Sequence, residues 1–578
     1  MKLETPSQRT MWLAILALLG TVLSAAAACD APVTPEITPT ATRTPRPTET
    51  PVPTLTPTPE WPVTVFVPGG MPAQLLQSVN ASLVAHPESF TATTSAEKAE
   101  VQISSAATEG NLLLAEWLYA VVVPFPALTD AVSWQDIAAA WQGTPSGPFF
   151  DRPLLISAET AGVLAATLGK PDSAAIEVLQ EDQILEIAWA QQPSWAIIPF
   201  EQLEPRWKVL QIDGVSVLDK DLDTASYPLA FRFGVTGLER GTARLHELLG
   251  PSLTNRDVTK MTTLMMTGVT ALSRATAIRM DRNGPTYPAQ DIRDWLLEPD
   301  LTHTSNEVSF AEDCPPPLDY TTMVFCSNPS YVALFEDTDI DIIELTGNHL
   351  LDWGVEAMKL SLRMYDERGI PYFGGGWDVA QAQNPLTVTS GVHTFGFVGC
   401  NPVGPSSDWA TDSRPGSAPC DYNTMYQQIG EMREQGIIPI ATLQYWEFYQ
   451  YDPTPQQRAD FRALAEAGAV IVSGSQAHQP QGFEFFADSF IHYGLGNLWF
   501  DQMWSLETRQ EFLDRHVFYD GQHISTEVLT AILEDYSRPR PMTAEERDLL
   551  LSAAFEASGW TATGHSGMLT GSSETPSE

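Results

Sequence analysis

The stretch ELTGNHLLDWG, residues 344–354, closes an apolar run, DIDIIEL at 339–345, and opens onto a helical pattern that begins near Val355. From there Met358, Leu362 and Tyr365 recur at helical spacing on one face, and Gly369 ends the run. TGNHLLDWG is therefore the turn at a strand's carboxyl end, which is where α/β folds gather their chemistry. Asn348, His349 and Asp352 stand in that turn and are the candidate catalytic residues. Asp352 has a second reading as the cap of the helix from Val355, because an Asp there accepts orphan amide hydrogens.

The same logic recurs downstream. Thr454 and Pro455 start a helix that DFRALAEAG ends at Gly468; AVIVSGSQAHQPQG then gives a strand and a turn holding Gln476 and His478. FIHYGLGNLWFDQ is a third strand-to-turn segment and brings Asn497 and Asp501. Past 540, Thr543 and Glu546 have capping-box spacing at the head of a helix that runs toward Gly559, and a Ser/Thr/Gly-rich tail follows.

Residues 259–540 resemble the CapA family, linked to capsule and poly-γ-glutamate synthesis, whose fold is similar to that of the calcineurin-like metallophosphoesterases. The resemblance is carried by Thr346-Gly347-Asn348-His349 with Asp352 and Gly354, Gly374-Gly375-Gly376, Gly474 with His478, Tyr493 to Asn497, and Phe500-Asp501-Gln502. It implies an α/β sandwich with a site at the strand ends. It also places Val269 where such domains carry their first metal-binding Asp, Ser305 and Glu307 where they carry Asn and Glu, and Gln444 and Gln476 where they carry His. A two-metal centre needs carboxylates and imidazoles around ions ~3.5–4 Å apart, and valine binds no metal. The ligand set implied for a reduced site is Glu307, His478 and Asn348, holding either one divalent ion or none, with Gln476, Gln444 and Asn497 as binding residues.

Upstream, residues 62–255 alternate strand-like and helix-like runs: WPVTVFVPG, AVVVPFPALTD, SWQDIAAAWQG with Ser133 as N-cap, PSWAIIPFEQL and VLQIDGVSVL. In that order they resemble the phosphate-type periplasmic substrate-binding proteins, without the Ser/Thr and Gly cluster that grips an oxyanion in that family. The fold expected is thus α/β throughout: a substrate-binding-protein-like domain followed by a metallophosphoesterase-like sandwich.

At 578 residues the chain has room for two such domains. Residues 1–29 read as an export signal, with Lys2 and Arg9 before an apolar stretch and small residues before Cys29. Cys29 is the expected lipidation site, although Ala26 stands where a lipoprotein signal usually has Leu; ordinary cleavage and an uncleaved anchor are the alternatives. Residues 30–61 are rich in Pro and Thr and predict an extended stalk, at about 3.1 Å per residue on the order of 100 Å long. With Cys29 set aside, Cys314, Cys326, Cys400 and Cys420 can form two disulfides in an oxidising compartment, in any of three connectivities, or stay as thiols. Residues 541–578 make up the terminal helix and tail.

The net charge of −41, from 72 acidic and 31 basic side chains, argues against nucleic acid as a partner. It also weighs against holding a polyanion unless cations bridge the two. The expected partners are a capsule polymer or another cell-envelope component, and a membrane reached through the N-terminal lipid. The resemblance implies a cell-surface lipoprotein that acts in synthesis, export or retention of a capsule polymer. Two other readings stand: an extracytoplasmic metal-dependent phosphoesterase or hydrolase, and a non-catalytic ligand- or polymer-binding protein.

Overall fold

The run at 339–345 forms the strand Ile342–Glu344, and the helix after it is Val355–Arg368, closed by Gly369 in the left-handed conformation. The computed structural model describes residues 61–104, 112–149, 151–250, 253–317 and 322–564. The export signal, Cys29, the Pro/Thr-rich segment up to 60 and the tail from 565 lie outside them. The described residues form one compact unit.

Two sheets face each other in the C-terminal half. The first runs in the order Tyr372–Phe373, Ile342–Glu344, Leu301–Asn306, Met261–Thr267, Gln510–Tyr519, Gln522–Glu534 and Arg538–Pro541, with Val269–Thr270 and Asn497–Trp499 attached. The second runs Leu386–Ser390, His393–Cys400, Ile438–Gln444, Ile471–Ser475, Ser489–His492 and Phe483–Phe486. Leu264, Met266, Ile342 and Phe373 from the first meet Phe395, Ile440, Ile471 and Phe490 from the second in one buried core. Helices cover the outer faces: Met358, Leu362 and Tyr365 pack with Met265 and Ile343, and Ile429, Phe461 and Leu464 pack with Ala441 and Val472. The central strands are buried on both faces and so read as continuous apolar runs rather than alternating ones.

Strands in the N-terminal half form a mixed sheet built around Leu112–Pro124. Its first part pairs antiparallel with Ala230–Gly237 and its last with Trp195–Pro199, and the strand ends at Pro124. Ser133 caps the helix Trp134–Trp141, its side chain accepting from the Asp136 amide. Phe125 then places its ring within 6.0 Å of Phe483, Phe485, Phe490, Phe555 and Trp560, which joins this half to the sandwich and to the helix Ala544–Ala557. The fold is α/β throughout, as expected.

Candidate functional site

The parallel strands Leu301–Asn306, Ile342–Glu344, Ile438–Gln444 and Ile471–Ser475 deliver Glu307, Asn348 with His349, Gln444, and Gln476 with His478 from their carboxyl ends. Close backbone approach makes this possible. Val308 bridges His349, and a Cβ on Gly474 would lie 1.9 Å from the Tyr493 carbonyl oxygen. Gln476 holds a left-handed backbone, φ 75°, outside glycine's usual monopoly of that region, and such strain tends to collect at functional sites.

Glu307 is 0 % exposed, and neither carboxylate oxygen has a hydrogen-bond partner. Burial raises its pKa; the charges of His349 and His478 offset part of this, Glu447 adds to it, and Arg274 offsets a little more. The Gln476 Oε1 is likewise buried without a partner. An unpaired buried carboxylate costs several kcal/mol on the order of other unsatisfied charges, so it marks a place kept for something other than stability.

His349 is held from behind. Its Nδ1 lies 2.7 Å from the Asp352 Oδ2, and the Phe325 ring lies 4.2 Å away, centroid to centroid. Burial alone would lower its pKa, but the Asp352 hydrogen bond and the charges of Glu307, Asp352 and Asp408 outweigh burial and raise it. Asp352 also accepts from the Phe325 amide at 2.9 Å. It does not cap the helix at Val355: Gly354, with φ 88°, occupies the N-cap position and no side chain caps it. The turn has thus turned the Asp352 carboxylate toward His349 instead.

His478 is oriented by Asn497. Asn497 donates from Nδ2 to the carbonyls of His478 and Thr508, at 3.3 and 3.0 Å, so its Oδ1, 2.8 Å from His478 Nδ1, accepts the ring proton. That leaves the His478 Nε2 as the face turned to the site. Asn348 Oδ1 accepts from Gln444 Nε2 at 3.2 Å, and Ser475 links Gln444 Oε1 at 3.1 Å to Glu344 Oε1 at 2.8 Å. Glu344 is buried, which would raise its pKa, but His303 and the hydroxyls of Thr346 and Ser475 pull it below the usual value. Gln444 and Asn497 therefore act by positioning Asn348 and His478.

The structure adds residues that the sequence did not single out. Arg274 lies buried against Asp501, and its guanidinium is 4.8 Å from both the Phe325 and the Phe500 rings. Asp408 sits near enough for its charge to act on His349, and burial with the Asp352 charge pushes its pKa up to about 7. Tyr449 and Glu447 follow Gln444, and Glu447 Oε1 is 3.9 Å from His478 Nε2. The disulfides are Cys314–Cys326 and Cys400–Cys420, the near-neighbour pairing; the first is adjacent in sequence to Phe325.

These donors do not fit a two-metal centre. Among the described residues no three His, Cys, Asp or Glu side chains are grouped so as to hold a metal ion. The expected set of Glu307, His478 and Asn348 supplies one carboxylate, one imidazole and one amide oxygen, the last already accepting from Gln444.

Fold and site together define an α/β protein with a two-sheet sandwich and a polar site at the carboxyl ends of its parallel strands. Residues 263–502 match the family described as "Bacterial capsule synthesis protein PGA_cap". Over 197 residues, 34% of this chain and 52% of the relative, the chain is 26% identical to "PGA biosynthesis protein CapA" of Bacillus subtilis (strain 168), so it spans about half that relative's length. A solved ABC-type phosphate transport receptor from Vibrio cholerae is similar over 32% of this chain and 93% of its own, at 11% identity and a TM-score of 0.27. The Haemophilus influenzae NAD nucleotidase is similar over 53% of this chain and 58% of its own, at 10% identity and a TM-score of 0.28. Residues 263–502 are thus similar to the CapA capsule-synthesis proteins.

Proposed function

We propose that this chain is an extracytoplasmic, lipid-anchored protein that takes part in making, exporting or retaining a capsule polymer, and that it engages the polymer at the site around Glu307 and His349. The reading is supported by the family of residues 263–502 and by the expected export signal and stalk. The observation that carries the site assignment is the pairing of an unpartnered, fully buried carboxylate, Glu307, with a half-buried imidazole, His349, that Asp352 orients. An imidazole fixed at Nδ1 by a carboxylate presents Nε2 as a proton donor or as a hydrogen-bond anchor. The test is made in the native host: cell-bound and shed polymer are measured after deletion of the gene and after complementation. Deletion should lower cell-bound polymer, and His349→Ala or Glu307→Gln should fail to restore it. Unchanged polymer, total and cell-bound, after deletion would sink this reading.

A second reading, a hydrolase using a single divalent ion, is favoured by the orphaned oxygens of Glu307 and Gln476 near His478. Glu307, His478 and the amide oxygens of Asn348 and Gln476 would hold the ion, which when bound would supply a Lewis acid. Elemental analysis of the purified chain beside His478→Ala tests it. About one equivalent of metal, lost in the variant, would support the hydrolase.

A further inference from the structure

Two loops border the site. One follows Ile438–Gln444 and carries Trp446, Glu447 and Tyr449; the other follows Asn497–Trp499 and carries Trp504 and Leu506. Trp446 is 54%, Tyr449 46% and Trp504 61% exposed, and the Tyr449 and Trp504 rings meet edge to face at 6.0 Å. Large aromatic rings gathered on a surface beside a polar site are a recognition surface for something with an apolar face. Glu447, between them in sequence, reaches toward His478, which ties this shelf to the site.

The charges around the shelf decide what can lie on it. Glu447 stands on the shelf itself, and the charge of buried Glu307 reaches Tyr449. Against them stand His349, held by Asp352, and Arg274, held by Asp501. No lysine follows Lys359 in the chain. A polycarboxylate needs cationic donors, Arg above all, and here would meet like charge instead. A sugar chain needs the opposite: acceptors for its hydroxyls and aromatic rings for its C–H faces.

We propose that the Tyr449–Trp504 shelf with its acidic border takes an uncharged glycan rather than a polyanion such as poly-γ-glutamate, the hydroxyls donating to Glu447. This rests on the reading of the site as the place where a capsule polymer is engaged, and it names the class of that polymer.

The test is calorimetric titration of the full-length chain with maltohexaose, cellohexaose and N-acetylated chitohexaose, and with poly-γ-glutamate, at low salt and with chelator present. At least one hexasaccharide should bind; Trp504→Ala should weaken it about tenfold, the loss of one stacked ring, while Trp504→Phe keeps most of the affinity. Thermal melting of both variants should match the parent, because Trp504 is exposed. Binding of poly-γ-glutamate that Trp504→Ala leaves intact and His349→Ala abolishes, with no hexasaccharide bound, would overturn the glycan and spare the site. Binding of a hexasaccharide unaffected by Trp504→Ala would overturn the shelf. Absence of binding by any of the four would overturn both the glycan and the assignment of polymer to this site.

Discussion

Gly347 lies directly against Glu307: a Cβ at position 347 would come within 2.4 Å of both the Glu307 Cα and its Cβ. The contact is with backbone, so nothing flexible can swing aside. Gly347→Ala should therefore cost about 1–3 kcal/mol or more through overpacking and displace Glu307, read as a lower urea midpoint. Gly430 provides the control. It lies within the helix Tyr422–Glu434 with nothing within 4 Å of an added Cβ, so Gly430→Ala should stabilise by up to about 1 kcal/mol. Equal effects at the two positions would refute the role given to Gly347.

Glu307 should trade stability for function. Its folded pKa is raised, chiefly by burial, above the unfolded value near 4.5. As pH climbs above that unfolded value, the unfolded chain releases its proton first, and stability falls until the folded group ionises too. Glu307→Gln, neutral and nearly isosteric, escapes this loss. Urea unfolding should find the variant more stable than the parent at pH 7, with the gap closing at and below pH 4. A variant less stable at both pH values would contradict the unpaired state of Glu307.

His349 also loses stability as pH rises, but because its charged form is stabilised rather than because its charged form is penalised. Its folded pKa is raised because Asp352, Glu307 and Asp408 outweigh burial. The stability it contributes is full below the unfolded value of about 6.5 and is lost as pH rises through the folded pKa. In an NMR titration its ring should change state above 6.5, and Asp352→Asn should move that transition down. A transition unmoved by Asp352→Asn would mean the 2.7 Å contact does not orient the imidazole.

Much of this arrangement was legible because it depends on local pattern. The strand at Ile342–Glu344, the helix face of Met358, Leu362 and Tyr365, the helix start at Thr454-Pro455 and the capping box at Thr543 each follow from residues within a few positions of one another. What was not legible depends on long-range placement. Arg274 and Asp501 meet across 227 positions, and neither advertises the other. Asp352 is ambiguous in sequence because a carboxylate three residues before Val355 reads equally as cap or site; Gly354, with its positive φ, settles it by taking the N-cap position. Asp408 gave no signal, since it reaches His349 only through the loop that the Cys400–Cys420 disulfide closes.

The Cys314–Cys326 disulfide should matter to the site as well as to stability. It spans a sequence separation of 12, for which chain entropy predicts about 3 kcal/mol. Cys326 also follows Phe325, whose amide donates to Asp352 and whose ring packs on His349. The double variant Cys314→Ser/Cys326→Ser should unfold at lower urea and lower the His349 pKa. Loss of stability with an unchanged His349 titration would confine the disulfide to a structural role.

Arg274 couples the two halves of the site. Its guanidinium pairs with Asp501 and faces Phe325, which packs on His349, and Phe500, whose ring lies 5.2 Å from His478. Asp501 accepts from the Ala275 amide at 2.8 Å as well, so removing the arginine leaves a buried carboxylate with one neutral partner. Arg274→Ala should lose about 3–5 kcal/mol, the cost of stranding one member of a buried pair. Arg274→Met with Asp501→Asn removes both charges and keeps most of the volume, so it should regain a large part of that loss. The double variant separates two roles. If it recovers stability and polymer retention together, the pair serves packing alone; if it recovers stability while retention stays low, the cation between Phe325 and Phe500 is needed to hold His349 and His478 in their working positions.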